Sequence, residues 1–187
     1  YDPIEGHITL DGKPIKDLSL QDLRDQISYV SQDAIIFPGT VSENIAFGCS
    51  HPQQEKIERA AQMASLHDFI SHDLEKGYET QLGERGQKLS GGQRQRIGIA
   101  RALYNKPKIM IFDEATSALD IYNENKILEE VFENKKDKTL IIISHRNNTV
   151  KYCDSIYVME DGKIIDNGSF EEIIKKHSYL KESVVNN

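Results

Sequence analysis

Cysteine is scarce in this chain: Cys49 and Cys153 are the only two. They form no ligand-spaced cluster and are too few for a disulfide framework, which fits a reducing compartment. Long apolar runs are missing as well. The longest, Ile109 to Phe112 and Leu140 to Ile143, fall far short of the roughly 20 residues needed to cross a bilayer. No span is expected, and the opening Tyr1-Asp2-Pro3-Ile4-Glu5 does not read as a signal peptide. Any membrane role is therefore expected through a partner. Basic excess is absent too, since the formal net charge is -7. That balance argues against a general nucleic-acid binder, which concentrates cations on one face, and no polyanion larger than a nucleotide is expected. Neither a low-complexity linker nor an internal repeat occurs. The 187 residues suit one ordinary domain with a sizeable core, with room for a subdomain.

What is present alternates in character along the chain. Gly6 to Asp11 alternates apolar and polar residues, and Asp11-Gly12 supplies a turn before Lys13-Pro14-Ile15, which predicts a short hairpin. Ser19 with Asp22, and Thr40 with Glu43, read as capping boxes of two short helices, the second running through Phe47. Between them Ile27-Ser28-Tyr29-Val30 is β-branched and aromatic, a strand that ends at Ser31-Gln32-Asp33. From about Pro52 to His72 the apolar spacing turns helical, through Ile57, Ala60, Ala61, Ala64, Leu66 and Phe69, marking a helical insert. A further helix is expected from Ser90 to about Tyr104. Strands and helices then alternate: Ile109 to Phe112, a helix over 120–132, Leu140 to Ile143, a short helix near Asn148, Ser155 to Met159, and Ile164 to Ile165. Continuous apolar strands with helices between them predict an α/β fold, a mostly parallel sheet covered on both faces. The tail from Ser169, capped by Glu172, is expected to be helical.

Three stretches carry chemistry. Ile109-Met110-Ile111-Phe112-Asp113-Glu114 places two carboxylates at the carboxyl end of a buried strand, where ligands gather in parallel sheets. One carboxylate suits a metal and the other a water. The same spelling also suits an acidic pair that ends a strand and caps the next helix. Leu89-Ser90-Gly91-Gly92-Gln93 combines two glycines, which let backbone N–H groups approach an anion, with a hydroxyl and a helix start whose dipole is positive. A phosphate is the expected guest, although a Gly-Gly turn capped by Ser90 is the plainer alternative. Leu140-Ile141-Ile142-Ile143-Ser144-His145 ends a third strand on a histidine. A lone histidine is more often structural than catalytic, but this one is predicted at the same sheet edge as Asp113 and Glu114.

Taken in order, Gln32, Leu89 to Gln93, Ile109 to Glu114, Ser117 to Asp120 and His145 resemble the ATP-binding cassette (ABC) ATPases over essentially the whole chain. The resemblance implies a P-loop NTPase-like fold with a helical signature subdomain over about 48–103, the catalytic core occupying about 1–47 and 104–187. It implies ATP and magnesium as cofactors. Gln32 would contact magnesium and sense a transmembrane partner, and Asp113 would hold magnesium through water. Glu114 would polarise the attacking water, and His145 would contact the terminal phosphate. Ser90, Gly91, Gly92 and Gln93 resemble the signature loop, which reaches the ATP of a second nucleotide-binding domain in a head-to-tail dimer. Ser117-Ala118-Leu119-Asp120 resembles the D-loop, which touches that opposite subunit. Chemistry of this kind asks for positioning and charge stabilisation and little covalent participation.

Within the family the exporter branch fits best. Glu79-Thr80-Gln81-Leu82-Gly83-Glu84-Arg85-Gly86 resembles its acidic-glycine loop, and the stretch from Phe37 to Ile45 resembles the region where coupling helices of the membrane domain dock. These features imply the C-terminal part of an exporter's ATP-hydrolysing domain at the cytoplasmic face of a membrane. A non-transport cassette of DNA repair or translation is disfavoured, because the interval from Gln32 to Leu89 has no room for a long coiled coil and no basic arm is present. One departure is Asn147-Asn148, where exporters often carry Leu-Ser. A second concerns the string G-x-x-x-x-G-K-[ST], whose amides and lysine cradle phosphates. It does not occur: the two Gly-Lys pairs, Gly12-Lys13 and Gly162-Lys163, lack the upstream glycine. The resemblance places that loop and its strand upstream of Tyr1. Without them the neighbouring strands are expected to expose apolar faces. At roughly 25 cal/mol per Å² of lost burial against about 5 to 15 kcal/mol of total stability, a stable isolated monomer is not expected, and the chain by itself is expected not to hydrolyse ATP.

Overall fold

The computed structural model describes residues 3–133 and 137–177; the expected tail beyond position 177 lies outside the described residues. Local signals set most element starts. Ser19 Oγ accepts from the Asp22 N–H and opens α1 (Leu20–Gln26), forming half of the expected box. Complete capping boxes open α2 (Val41–Ile45) at Thr40 and Glu43, α4 (Gly91–Tyr104) at Ser90 and Gln93, and α7 (Phe170–Lys176) at Ser169 and Glu172. Each satisfies two N–H groups that the first helical turn leaves without partners. Before α4 comes α3 (Gln54–Met63). The single helix expected to His72 is divided, because Ser65 adopts a left-handed φ of 51° that no α-helix continues through. One π-type turn, Phe69–Asp73, follows.

Three strands, β3 (Ile27–Val30), β4 (Ile109–Asp113) and β5 (Thr139–Ile143), form a parallel sheet in that order, with Val30, Phe112 and Ile142 in register. The crossover from β4 to β5 carries α5 (Ile121–Glu133), as a parallel connection requires. The helical insert lies between β3 and β4 in the chain. One sheet face, through Val30, Met110 and Phe112, joins a single buried cluster with Ile97 and Ala100 of α4, Ile57 and Ala61 of α3, and Ile127 and Val131 of α5. The other face is bare among the described residues. Tyr29, Ile141 and Ile143 are 58, 47 and 51 % exposed.

The remaining strands are antiparallel. β1 (Thr9–Leu10) pairs with β2 (Lys13–Pro14) across Asp11-Gly12, as expected. β6 (Ile156–Glu160) pairs with β7 (Lys163–Gly168) in a second hairpin, which corrects their expected place in the parallel alternation. The reason is the turn. Asp161 and Gly162 take φ of 49° and 74°, the paired left-handed conformation that folds two strands directly back on one another. Between β5 and this hairpin lies α6 (Asn147–Val150), the short helix expected near Asn148.

Candidate functional site

The parallel register brings the carboxyl ends of β3, β4 and β5 to one edge, and the polar groups that follow them converge there. Glu114, the first residue after β4, has a left-handed φ of 48°, held by a hydrogen bond from its N–H to the Ile143 carbonyl at 2.9 Å. That conformation turns its carboxylate along the strand ends. Gln32 Nε2 donates to Glu114 Oε2 at 3.4 Å, and His145 Nδ1 lies 3.2 Å from Glu114 Oε1. Protonation of Nδ1 makes the second contact a hydrogen bond with the imidazole as donor. Glu114 is 30 % and His145 70 % exposed, so the carboxylate is half-sheltered and the ring reaches into solvent. Beside them Asp113 Oδ2 accepts from the Tyr29 hydroxyl at 2.6 Å. That hydrogen bond is the main cause of an upward shift of the Tyr29 phenol, because donating to the carboxylate favours the protonated form of the hydroxyl.

A second group forms where α4 begins. Ser90 Oγ accepts from the Gln93 N–H at 3.2 Å and Gln93 Oε1 accepts from the Ser90 N–H at 2.8 Å. The plainer alternative, a capped helix start, is thus present, and the N–H groups of Gly91 and Gly92 still stand at the positive end of a 14-residue helix. Gly92 is there for space. A Cβ on it would meet the Ala118 carbonyl oxygen at 3.2 Å, so the loop after Glu114 packs against the helix start. Asp120 ends that loop and caps α5, accepting from the Asn123 N–H at 3.0 Å and from Asn123 Nδ2 at 2.6 Å. Those bonds hold its carboxyl below the ordinary range.

The structure therefore brings Gln32, Asp113, Glu114 and His145 together at the strand ends, and sets Ser90, Gly91, Gly92, Gln93 and Asp120 in a neighbouring group. Two polar networks that motif reasoning missed lie behind them. Glu124 of α5 is 1 % exposed. Its Oε1 accepts from the hydroxyls of Thr116 and Thr149, both at 2.7 Å, and its Oε2 accepts from Arg146 Nη1 at 2.8 Å. Arg146 also donates to the carbonyls of Thr116, Ser117 and Leu119, clamping the loop from the side of His145. From the other side Gln95 of α4 reaches the same loop. Adjacency to His145 was the one sequence signal for Arg146, and Gln95 stood out only as part of the run that follows the glycine loop; Glu124 offered only a polar residue on a helix.

Asp113 and Gln32 supply hard oxygen donors, a carboxylate and an amide carbonyl, the kind that magnesium takes while keeping several waters and phosphate oxygens. Gln32 uses its amino group on Glu114, so the carbonyl oxygen is the atom it would offer a cation. Among the described residues no group of three or more His, Cys, Asp or Glu is arranged to hold a metal ion by itself.

A parallel sheet with an acidic pair at its carboxyl edge, a capped glycine helix start and a strand-end histidine defines a P-loop NTPase-like α/β protein. Comparison with known proteins makes the family explicit. The ABC transporter family model matches residues 1–117, and the chain belongs to that family. It is 48 % identical over 176 residues to a putative multidrug export ATP-binding/permease protein of Staphylococcus aureus, covering 94 % of this chain and 30 % of the relative. An ATP-dependent lipid A-core flippase of Saccharophagus degradans is 46 % identical over the same coverage. The solved structure of a bacterial Atm1-family ABC exporter with ATP bound superposes with a TM-score of 0.92 at 38 % identity, over 98 % of this chain and 32 % of that one. The chain thus spans less than a third of the length of these proteins. No helix among the described residues is long and apolar enough to cross a membrane.

Proposed function

We propose that this chain is the C-terminal part of the ATP-hydrolysing domain of an ABC exporter, coupling ATP binding and hydrolysis to substrate movement across a membrane. The observation that carries the reading is the Glu114 carboxylate bracketed by Gln32 at 3.4 Å and His145 at 3.2 Å, beside Asp113 at the sheet edge. Glu114 is the group that polarises the attacking water. His145 keeps Glu114 oriented and offers a donor toward the terminal phosphate. Asp113 and Gln32 would hold magnesium, which supplies charge neutralisation of the phosphates when bound. Ser90, Gly91, Gly92 and Gln93 face the ATP of a second nucleotide-binding domain, and Asp120 orders the loop that meets it. In this reading residues of about 1–47 and 104–187 form the catalytic core, about 48–103 the helical subdomain, and the assembly sits at the cytoplasmic face through its transmembrane partner.

No G-x-x-x-x-G-K-[ST] string occurs in the 187 residues, and this favours a second reading of the isolated chain. Alone it is a non-hydrolysing piece whose glycine helix start serves a partner. Calorimetric titration of the isolated chain with ATP separates the two, since micromolar binding would contradict the second reading. In the full-length protein Glu114→Gln is expected to stop turnover and leave ATP binding in place. Hydrolysis at the wild-type rate would remove Glu114 from the role of base.

A further inference from the structure

The two groups of site residues are not in direct hydrogen-bond contact in the described structure, yet one side chain touches both Gln32 and Glu114 of the first and the loop that leads to Asp120 of the second. Gln95 sits one turn into α4, behind the glycine helix start, and is 1 % exposed. Its Oε1 accepts from the Ala118 N–H at 2.9 Å. Its Nε2 faces three acceptors: the Gln32 carbonyl at 3.1 Å, the Glu114 carbonyl at 3.3 Å and the Ser117 hydroxyl at 3.3 Å. We propose that Gln95 is a positioning residue that joins the Gln32 loop, the backbone of Glu114 and the Ser117–Asp120 loop into one unit, so that a displacement of any one is passed to the others. The proposal rests on the reading of Glu114 as the base.

Proton counting sets the mechanics. The amide nitrogen carries two hydrogens and the structure offers it three acceptors, so the three bonds cannot all be made at full strength. Their lengths, at the long end of the N–H···O range, are what such sharing produces. The carbonyl side, by contrast, has one short bond. Oε1 is therefore the anchor to the Ser117–Asp120 loop, and Nε2 is shared between that loop, the base and Gln32. If the Gln32 loop shifts, the sharing of the two hydrogens shifts with it, so the bonds to Glu114 and Ser117 change in length and strength. Burial makes the linkage matter: in a water-poor site a polar group that loses its partner finds no water to replace it, so the loops are held to Gln95 and not to solvent. Gly98, one turn further along α4, keeps the distances short. A Cβ there would come within 2.8 Å of Ala34 Cβ, and only glycine lets the segment after Gln32 lie this close to the helix. A linkage acting on the base orients the reacting groups without adding to nucleotide binding, and small misplacement of such groups costs on the order of 100-fold in rate.

The test is steady-state ATP hydrolysis by the full-length protein, comparing wild type, Gln95→Leu, Gln95→Glu and Glu114→Gln, with melting curves of each. Gln95→Leu, which fills the space and removes all four bonds, is expected to lower kcat roughly 10- to 100-fold with KM for ATP within about threefold, read well below the lowered melting temperature that the unpaired buried groups impose. Gln95→Glu keeps the acceptor for Ala118 and loses the shared donor, and is expected to show the same loss in kcat. This second variant also decides the matter should Gln95→Leu not fold. Turnover within threefold of wild type in either folded variant overturns the proposal. A loss of kcat that only tracks a fall in melting temperature overturns it too, since that is the behaviour of a core residue. Glu114→Gln reads the underlying assignment separately: continued hydrolysis by that variant defeats the base, whatever Gln95 does.

Discussion

Arg146 and Glu124 allow a prediction in which direction and asymmetry are both set by geometry. Glu124 is 1 % and Arg146 29 % exposed, with 2.8 Å between them. Removing the arginine by Arg146→Met leaves a buried carboxylate with only the hydroxyls of Thr116 and Thr149 for company. Breaking a buried pair in this way costs about 3 to 5 kcal/mol, and the partly exposed guanidinium argues for the low end, about 3 kcal/mol. The carbonyls of Thr116, Ser117 and Leu119 also lose a donor, but water recovers part of that at a half-buried site. Glu124→Gln keeps the size and an acceptor for the hydroxyls, while Arg146 retains its three carbonyls and its access to solvent. Its cost is expected to be that of a weakened charged hydrogen bond, about 1 to 2 kcal/mol. The assay is hydrogen exchange at the amides of Ser117 and Leu119 in the full-length protein, because both close turns within the clamped loop. At 1.4 kcal/mol per factor of ten, Arg146→Met should speed their opening by roughly 100-fold and Glu124→Gln by about 10-fold. The double variant should open more slowly than Arg146→Met alone, since the stranded charge is gone. Equal effects from the two single variants, or a double variant as labile as Arg146→Met, would refute the reasoning.

Gly98→Ala sets two effects against each other: alanine gains about 1 kcal/mol of helix propensity, and overpacking against Ala34 at 2.8 Å costs about 1 to 3 kcal/mol. A net loss of about 1 kcal/mol is expected in melting curves, and a stabilised variant would show that the backbone after Gln32 yields freely. At the other end of the chain Asp166 accepts from Lys176 Nζ at 2.9 Å and lies 3.1 Å from His177 Nε2. Lys176 first and His177 second hold the Asp166 carboxyl below its ordinary value. A depressed carboxylate adds stability that is present above its unfolded pKa and is lost as pH falls through the lower folded one. Wild type and Asp166→Asn should therefore differ in melting temperature at pH 7 and converge once the pH falls through the lowered folded carboxyl into strong acid; a constant gap from neutral pH into acid would show that the ion pair contributes nothing.

What could be read in advance was what short-range chemistry encodes. Thr40 with Glu43, Ser90 with Gln93 and Ser169 with Glu172 close their boxes within three residues, so sequence spacing alone locates the helix starts. Apolar runs located the three parallel strands, and the polar residues ending them, Gln32, Asp113, Glu114 and His145, meet because parallel strands end at one edge. Asp161-Gly162 was legible and passed over: it has the same spelling and the same left-handed pair as Asp11-Gly12, and it turns β6 back on β7. The break at Ser65 was not legible, since nothing about serine announces a positive φ, and α3 stops there because the following segment packs its own apolar residues Leu66 and Ile70 inward. Gln95, Glu124 and Arg146 were hidden for a different reason. Their partners lie 8 to 63 residues away in the chain, and only tertiary packing decides which of many polar helix residues will be buried against them.

The two carboxylates of the site are supported from opposite directions, and this separates the ways they can be disturbed. Asp113 lies on the bare face of the sheet, in register with Ile143, and its described partner is the exposed hydroxyl of Tyr29. Glu114 is held from behind, by the Ile143 carbonyl and by Gln95 within the buried cluster. A surface hydrogen bond yields to whatever packs on the face formed by Tyr29, Ile141 and Ile143, whereas displacement of Glu114 requires movement of α4 or of β5. Changes on the open face therefore reach Asp113 first, and changes in the helical insert reach Glu114 first. Tyr29→Phe removes the Asp113 bond and leaves every described contact of Glu114 intact, so the surroundings of Asp113 and of Glu114 are separable by single substitutions although the two are adjacent in the chain.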